Sequence, residues 1–272
     1  MISRRNALSG LAASAAAGCS GRQAAQSPYQ YPIAPPPPDR ASLGLDAVID
    51  ISRSVTVTDF RRVRQSNILA VIHKASEGGD YADTAYAQRR PQAEAAGLLW
   101  GAYHFGTGQF SGAEQAAFFL AQARPGPRTL LALDLEANEN NPSNSMTLEQ
   151  GEAFVARVAE ATGRLPVVYV HPTWANGEPL PNSGLSLGAT ITPGSILARC
   201  GLWVADYHDS PEVPLAWAAS GWRLWQYAGD ETAGRPAWGQ TSIVQGVSHC
   251  DRNLFNGDAV ALRRFWGAAG AS

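Results

Sequence analysis

From residue 43 onward, short apolar runs rich in β-branched residues alternate with longer stretches in which apolar residues recur every three or four positions. The runs suit strands buried on both faces, and the stretches suit helices that bury one stripe. Strands are predicted at Leu45–Ile51, Leu69–Lys74, Leu98–His104, Thr129–Asp134, Pro166–Val170, Leu202–Ala205, Trp222–Tyr227 and Val247–Asp251. Helices are predicted at Tyr81–Ala96, Gly112–Ala123 and Thr147–Ala161, the last opening with a Thr147-x-x-Gln150 capping box. Repeated strand–helix units imply a parallel sheet, and eight strands imply an α/β fold, a modified (β/α)8 TIM-like barrel. It is modified because helical patterns are missing between the last three strands. Residues 174–199, rich in Gly, Pro, Asn and Ser, read as a long loop over one barrel face.

Composition agrees with one large core. The chain has 272 residues, 45% hydrophobic and 16% charged, which excludes a mostly disordered protein. A formal charge of −2, from 21 basic and 23 acidic residues, supplies no basic surface for nucleic acid or an anionic membrane. Lys74 is the sole lysine.

The first 42 residues have a different character. Residues 1–19 carry Arg4 and Arg5, a mild apolar run and small residues leading to Cys19, which resembles a twin-arginine export signal ending in a lipoprotein cleavage box. Cys19 is the expected lipidation site, and it would anchor the exported chain to a membrane of the cell envelope or periplasm. Residues 20–42 contain Tyr-Pro and a run of four prolines and read as an extended linker. The barrel domain then occupies 43–272 alone, as an expected monomer. With 1–19 removed, Cys200 and Cys250 remain as an even pair, open to two readings, a disulfide in an oxidising compartment or two buried free thiols.

Candidate chemistry lies where apolar runs end in acids: Asp50, Asp134 with Glu136, Asp206 and Asp251. A lone acid in such a place is often only a helix cap or turn former. Several acids from different strands converge on one mouth if the barrel closes. Asp134 and Glu136, two apart on a strand, share a face with Cα atoms about 6.5–7 Å apart. Paired carboxylates in unlike environments are what glycoside hydrolysis requires, one to protonate the leaving oxygen and one to stabilise or attack the anomeric carbon, although metal sites and surface turns also contain such a pair.

Further blocks sharpen this reading. VIDIS at 48–52, IHKASEGGDYAD at 72–83, GLLWGAYHFG at 97–106, LALDLEAN at 131–138, VVYV at 167–170, LWVADY at 202–207, LWQYAG at 224–229 and CDRNLFNG at 250–257 together resemble the glycoside hydrolase family 25 lysozymes. The resemblance implies a muramidase that cuts peptidoglycan between N-acetylmuramic acid and N-acetylglucosamine, without cofactor or metal. It implies Glu136 as general acid, Asp134 as nucleophile or stabiliser of the substrate's 2-acetamido group, and Asp50 and Asp206 as further catalytic acids. Glu77, Tyr103, Tyr169, Trp225, Gln226 and Asp251 become expected substrate contacts. Each has a plainer structural alternative: Glu77 as the ion-pair partner of Lys74, the aromatics including Tyr227 as barrel core, and His73 and His104 as packed, hydrogen-bonded side chains. One departure stands out. After VIDIS the family continues with an aromatic residue and Gln-Gly, where this chain has Ser54, Val55 and Thr56. Two other functions fit the blocks, a non-catalytic glycan-binding barrel and a hydrolase of another N-acetylated β-1,4 glycan such as chitin.

Overall fold

A computed structural model describes residues 43–229 and 243–267. Its frame is a closed eight-stranded barrel with one short appended strand. The strands are β1 (Leu45–Ile51), β2 (Ala70–Glu77), β3 (Tyr81–Ala82), β4 (Leu99–Phe105), β5 (Leu130–Asp134), β6 (Val167–Val170), β7 (Gly201–Ala205), β8 (Trp222–Ala228) and β9 (Asp251–Phe255). Parallel pairing runs from β1 through β2, β4, β5, β6 and β7 to β8. Strand β9 closes the ring antiparallel to both β8 and β1, and β3 folds back on β2.

Two expected elements need correcting. The last strand lies at 251–255 rather than 247–251, and Val247 makes only an isolated antiparallel bridge with Val57. Asp251 therefore begins its strand. Because β9 runs antiparallel, its beginning sits at the mouth where the parallel strands end. The second correction is at Tyr81: residues 81–82 pair with β2, and the helix starts only at Tyr86. Asp83 holds the intervening chain out of the helix, since its carboxylate accepts from the backbone N–H of Arg53 (2.8 Å) and of Ala85 (2.9 Å).

The helices are α1 (Phe60–Gln65), α2 (Tyr86–Ala95), α3 (Gly112–Ala123), α4 (Leu148–Thr162), the single turn α5 (Pro172–Ala175) and α6 (Ala259–Gly267). The capping box at Thr147 and Gln150 forms as its spacing predicts, and Ser111 with Glu114 makes a second one. Gln150 reaches further, donating to the carbonyls of Gly108 (2.9 Å) and Phe110 (2.8 Å), so the start of α4 is tied to the loop that opens α3. Gly112 lets these two helix starts touch.

Alternation along each strand separates two apolar layers. Outward residues such as Ile49, Val71, Leu131, Leu133 and Val168 pack beneath the helices. Inward residues Val48, Ala70, Ile72, Leu130, Ala132, Val167, Leu224 and Phe255 fill the lower barrel, where Leu262 and Trp266 of α6 close the floor. Trp266 Nε1 donates to the carbonyl of Trp100 at 2.8 Å.

Both buried histidines face outward and are structural. His73 accepts from Arg89 (3.0 Å) and contacts the Lys74 carbonyl at 2.7 Å; His104 lies between Ser76 (2.9 Å) and Gln115 (3.2 Å) and stacks on Phe154. Burial pushes them down to about 4 and about 3, so both are neutral at physiological pH.

Of the two readings of Cys200 and Cys250, the disulfide is excluded by topology. Cys200 precedes β7 at the floor and Cys250 precedes the antiparallel β9 at the mouth, so the length of β8 between them amounts to about 20 Å. A bridge needs Cα atoms within about 7 Å. Cys200 is a buried free thiol that contacts the Ile196 carbonyl at 3.6 Å, and burial pushes its pKa up to about 12.

A Cβ at Gly112 would drive into the Gln150 carbonyl and lie 2.8 Å from Phe154 N. Gly112→Ala is expected to cost about 2–3 kcal/mol by forcing α3 and α4 apart, measured as a lower urea midpoint at unchanged m-value.

Candidate active site

The parity that makes the barrel floor apolar makes its mouth polar. Two residues above Val48, Ala132, Val167 and Leu224 stand Asp50, Asp134, Tyr169 and Gln226, and two below Phe255 in sequence stands Asn253, with Asp251 beyond it. A cavity of about 240 Å³ results, lined by Asp50, Tyr103, Asp134, Glu136, Tyr169, Trp203, Tyr207, Gln226 and Asp251. Beside it runs a groove of about 460 Å³. Its walls are the loop after β5 (Ala137 to Asn140), His171 and Trp174 around α5, and Leu180, Pro181 and Asn182 of the long loop. Glu136, Tyr169 and Tyr207 line both spaces, so Glu136 stands at their junction.

Asp50 is the hub of the mouth. Its buried carboxylate accepts from Gln226 Nε2 (3.0 and 3.1 Å) and from Asn253 Nδ2 (2.7 Å). Each amide is oriented from its other end. Gln226 Oε1 accepts from the hydroxyls of Tyr169 (2.8 Å) and Tyr207 (2.7 Å), and Asn253 Oδ1 accepts from Trp203 Nε1 (2.7 Å). Reversing either amide would set carbonyl against carboxylate, so the network has one arrangement.

Among the described residues, none donates a hydrogen bond to the carboxyl of Asp134 or Glu136. Burial, then the neighbouring Glu136 carboxylate, pushes Asp134 well above the usual carboxylate range, with Lys74 pulling it down and Asp50 and Glu77 adding to the rise. One Asp134 oxygen, Oδ1, is buried with no hydrogen-bond partner. Burial also raises Glu136, to about 7, against the pull of Lys74 and with help from Glu139 and Asp50. A carboxyl near 7 is half protonated at neutral pH, which suits proton transfer in both directions. Tyr103, Tyr169 and Tyr207 are pushed up by burial first, and so remain hydroxyl donors.

Other expected site residues fall outside the cavity. Ala205 faces inward, so Asp206 faces away. Its carboxylate accepts from the backbone N–H of His208 (3.2 Å) and Glu212 (2.8 Å) and pairs with His208 Nδ1 (2.5 Å), and it lines neither space. It latches the loop that presents Tyr207, while Asp251 completes the ring of acids in its place. Gln226 faces inward, so Trp225 and Tyr227 face outward. Trp225 is fully buried with Nε1 donating to the Asp206 carbonyl (2.6 Å), and Tyr227 is bonded to Asp46 (3.0 Å); neither reaches the cavity. Glu77 pairs with Lys74 at 2.6 Å, and Lys74 Nζ also lies 5.0 Å from the ring centre of Phe105 and 5.6 Å from that of Tyr81. Among the described residues, no group of three or more His, Cys, Asp or Glu is placed to hold a metal ion.

Sequence reading passed over Trp203, Tyr207, Asn253 and His171. Parity could have found them, since each lies two residues from another inward position: Trp203 and Tyr207 from Ala205, Asn253 from Asp251, His171 from Tyr169.

The sequence model of the family described as glycosyl hydrolases family 25 matches residues 49–234. Lysozyme M1 of Streptomyces globisporus is 30% identical over 229 residues, covering 79% of this chain and 69% of that protein. An N,O-diacetylmuramidase of Arthroderma benhamiae is 26% identical over 228 residues, covering 79% and 84%. Among solved structures, a bacterial lysozyme from Streptomyces coelicolor superposes with a TM-score of 0.65 at 29% identity, covering 82% of this chain and 97% of that one. A muramidase from Acremonium alcalophilum gives 0.63 at 29% identity, covering 80% and 97%.

The electrostatics of Glu136 are separable by substitution. Lys74→Met is expected to move its titration above about 7 and Glu139→Gln to move it below, because the first removes a cation and the second an anion. Carboxyl ¹³C chemical shifts followed against pH measure both, and shifts of the same sign would contradict the assignment.

Proposed function

The chain belongs to glycosyl hydrolase family 25, and we propose that it cleaves the β-1,4 bond between N-acetylmuramic acid and N-acetylglucosamine in peptidoglycan, with Glu136 as general acid. The observation that carries the assignment is the position of Glu136 at the junction of cavity and groove, with burial raising it to about 7. Protonated Glu136 donates to the glycosidic oxygen as the bond breaks. The resulting carboxylate then takes a proton from water in the second half of the reaction.

Asp134, the last residue of β5, supplies the second carboxyl to the same cavity as Glu136. It acts on the anomeric carbon directly or through the substrate's 2-acetamido group, and both routes retain the anomeric configuration. Its unpartnered Oδ1 supports a role that substrate completes. Asp50 and Asp251 contribute negative potential around the forming oxocarbenium, and the amide and tyrosine network holds Asp50 still. Tyr103, Tyr169 and Gln226 line the cavity as substrate contacts.

Residues 1–42 lie outside the described residues. Their sequence supports an export signal over 1–19 with lipid attachment at Cys19, a linker over 20–42, and a catalytic domain over 43–272 held at the cell envelope.

Glu136→Gln is expected to lower the release of muramic-acid reducing ends from purified peptidoglycan by about 10²–10⁴-fold. A wild type releasing none would point instead to the glycan-binding reading, and ends released only from chitin to the alternative substrate. For the wild type, kcat/KM should fall as pH rises through about 7, because ionisation removes the proton that Glu136 must donate. Cys19→Ser should shift the protein from the membrane to the soluble fraction; an unchanged distribution would refute lipid anchoring.

A further inference from the structure

The groove beside Glu136 carries a polar group that the catalytic reading does not use. His171 follows Tyr169 by two on the β6 path, so it faces the same side as Tyr169, and β6 neighbours β5, which carries Asp134 and leads into Glu136. It is half-buried and lines the groove together with Glu136, Asn138, Asn140 and Asn182.

Local backbone sets its tautomer. His171 is the N-cap of α5, and its Nδ1 accepts from the backbone N–H of Thr173 at 3.2 Å. A nitrogen that accepts carries no proton, so in the neutral ring the proton sits on Nε2. The opposite edge of the ring is thus a fixed N–H donor. No described residue accepts from it. Protonating the ring would place a second N–H against that of Thr173 and break the cap, and burial likewise favours the neutral form, with help from His208 and against the pull of Asp206 and Glu212.

We propose that His171 is a specificity-determining residue whose Nε2–H donates to the acetamido carbonyl of the sugar held in the groove next to the scissile bond. The groove's chemistry selects that partner. Beside the carboxyl groups of Glu136 and Glu139, the amides of Asn138, Asn140 and Asn182 and a neutral imidazole suit an uncharged group that both donates and accepts, and Leu180 and Phe105 offer apolar surface to a methyl group or sugar ring. This inference rests on the glycan-hydrolase reading and adds the group by which the groove recognises its sugar.

The test uses two substitutions that mimic opposite edges of the ring. His171→Asn keeps an acceptor at the position of Nδ1, preserving the cap, but has no atom where Nε2 stood; His171→Gln places an N–H near Nε2. Both are introduced beside Glu136→Gln, so that binding of soluble, peptide-free peptidoglycan strands is measured by calorimetry without turnover. His171→Asn is expected to bind about tenfold more weakly at an unchanged Tm, and His171→Gln to recover most of that loss. On the same strands after de-N-acetylation, His171→Asn should bind like its parent. The proposal is overturned if His171→Asn binds N-acetylated strands as its parent does, or if its loss is equally large on de-N-acetylated strands. Failure of the Glu136→Gln parent to bind any strand would instead count against the glycan-hydrolase reading itself.

Discussion

Four carboxyl groups, from Asp50, Asp134, Glu136 and Asp251, face one small cavity at the barrel mouth, and the rest of the site answers that crowding. Like charges in a desolvated space cannot all stay ionised without compensation. The chain treats them unequally. Asp50 receives three amide contacts from Gln226 and Asn253, whereas Asp134 keeps an orphaned oxygen and Glu136 opens onto the groove. Burial raises both Asp134 and Glu136, while amide donors hold Asp50, and these unlike surroundings are the basis for giving the acids different roles. Lys74, clasped by Glu77 and flanked by Tyr81 and Phe105, adds a cation at the rim that tempers the rise of both Asp134 and Glu136.

Such a mouth is built on a floor that has no polarity to spare. Inward side chains at the lower level are aliphatic or aromatic, and α6 seals them with Leu262 and Trp266. One step of two residues along each strand crosses from that core to the reactive ring, so barrel stability and site chemistry occupy successive layers of the same strands. The antiparallel β9 serves both: it ends in Phe255 at the floor and begins with Asp251 at the mouth. A parallel strand at that place would have delivered its first residue to the wrong end.

Much of this is legible in the order of residues. Seven of the eight barrel strands lie within a few residues of the apolar runs that announce them, and the capping box at Thr147 marks the start of α4 to the residue. The pairing of Asp134 and Glu136 on one face follows from strand period alone. Departures come where a local pattern meets a constraint set elsewhere. Tyr81 and Ala82 are drawn into pairing with β2, and Asp206 looks like the other strand-ending acids although Ala205 has already taken the inward direction. Trp225 lies next to an inward residue rather than at one, so an aromatic within a family block becomes core packing.

The fold class, the order of strands and helices, and the carboxyl pair at the end of β5 can be read from the chain alone, because they depend on short-range periodicity that each segment carries internally. Barrel closure settles the rest: which acids share the cavity, that Asp251 rather than Asp206 completes the ring, that Cys200 and Cys250 sit at opposite ends of the barrel, and which edge of His171 is left to the groove. Those outcomes depend on strand direction, inward or outward parity and contacts between residues distant in sequence, which exist only once the ring of strands has closed.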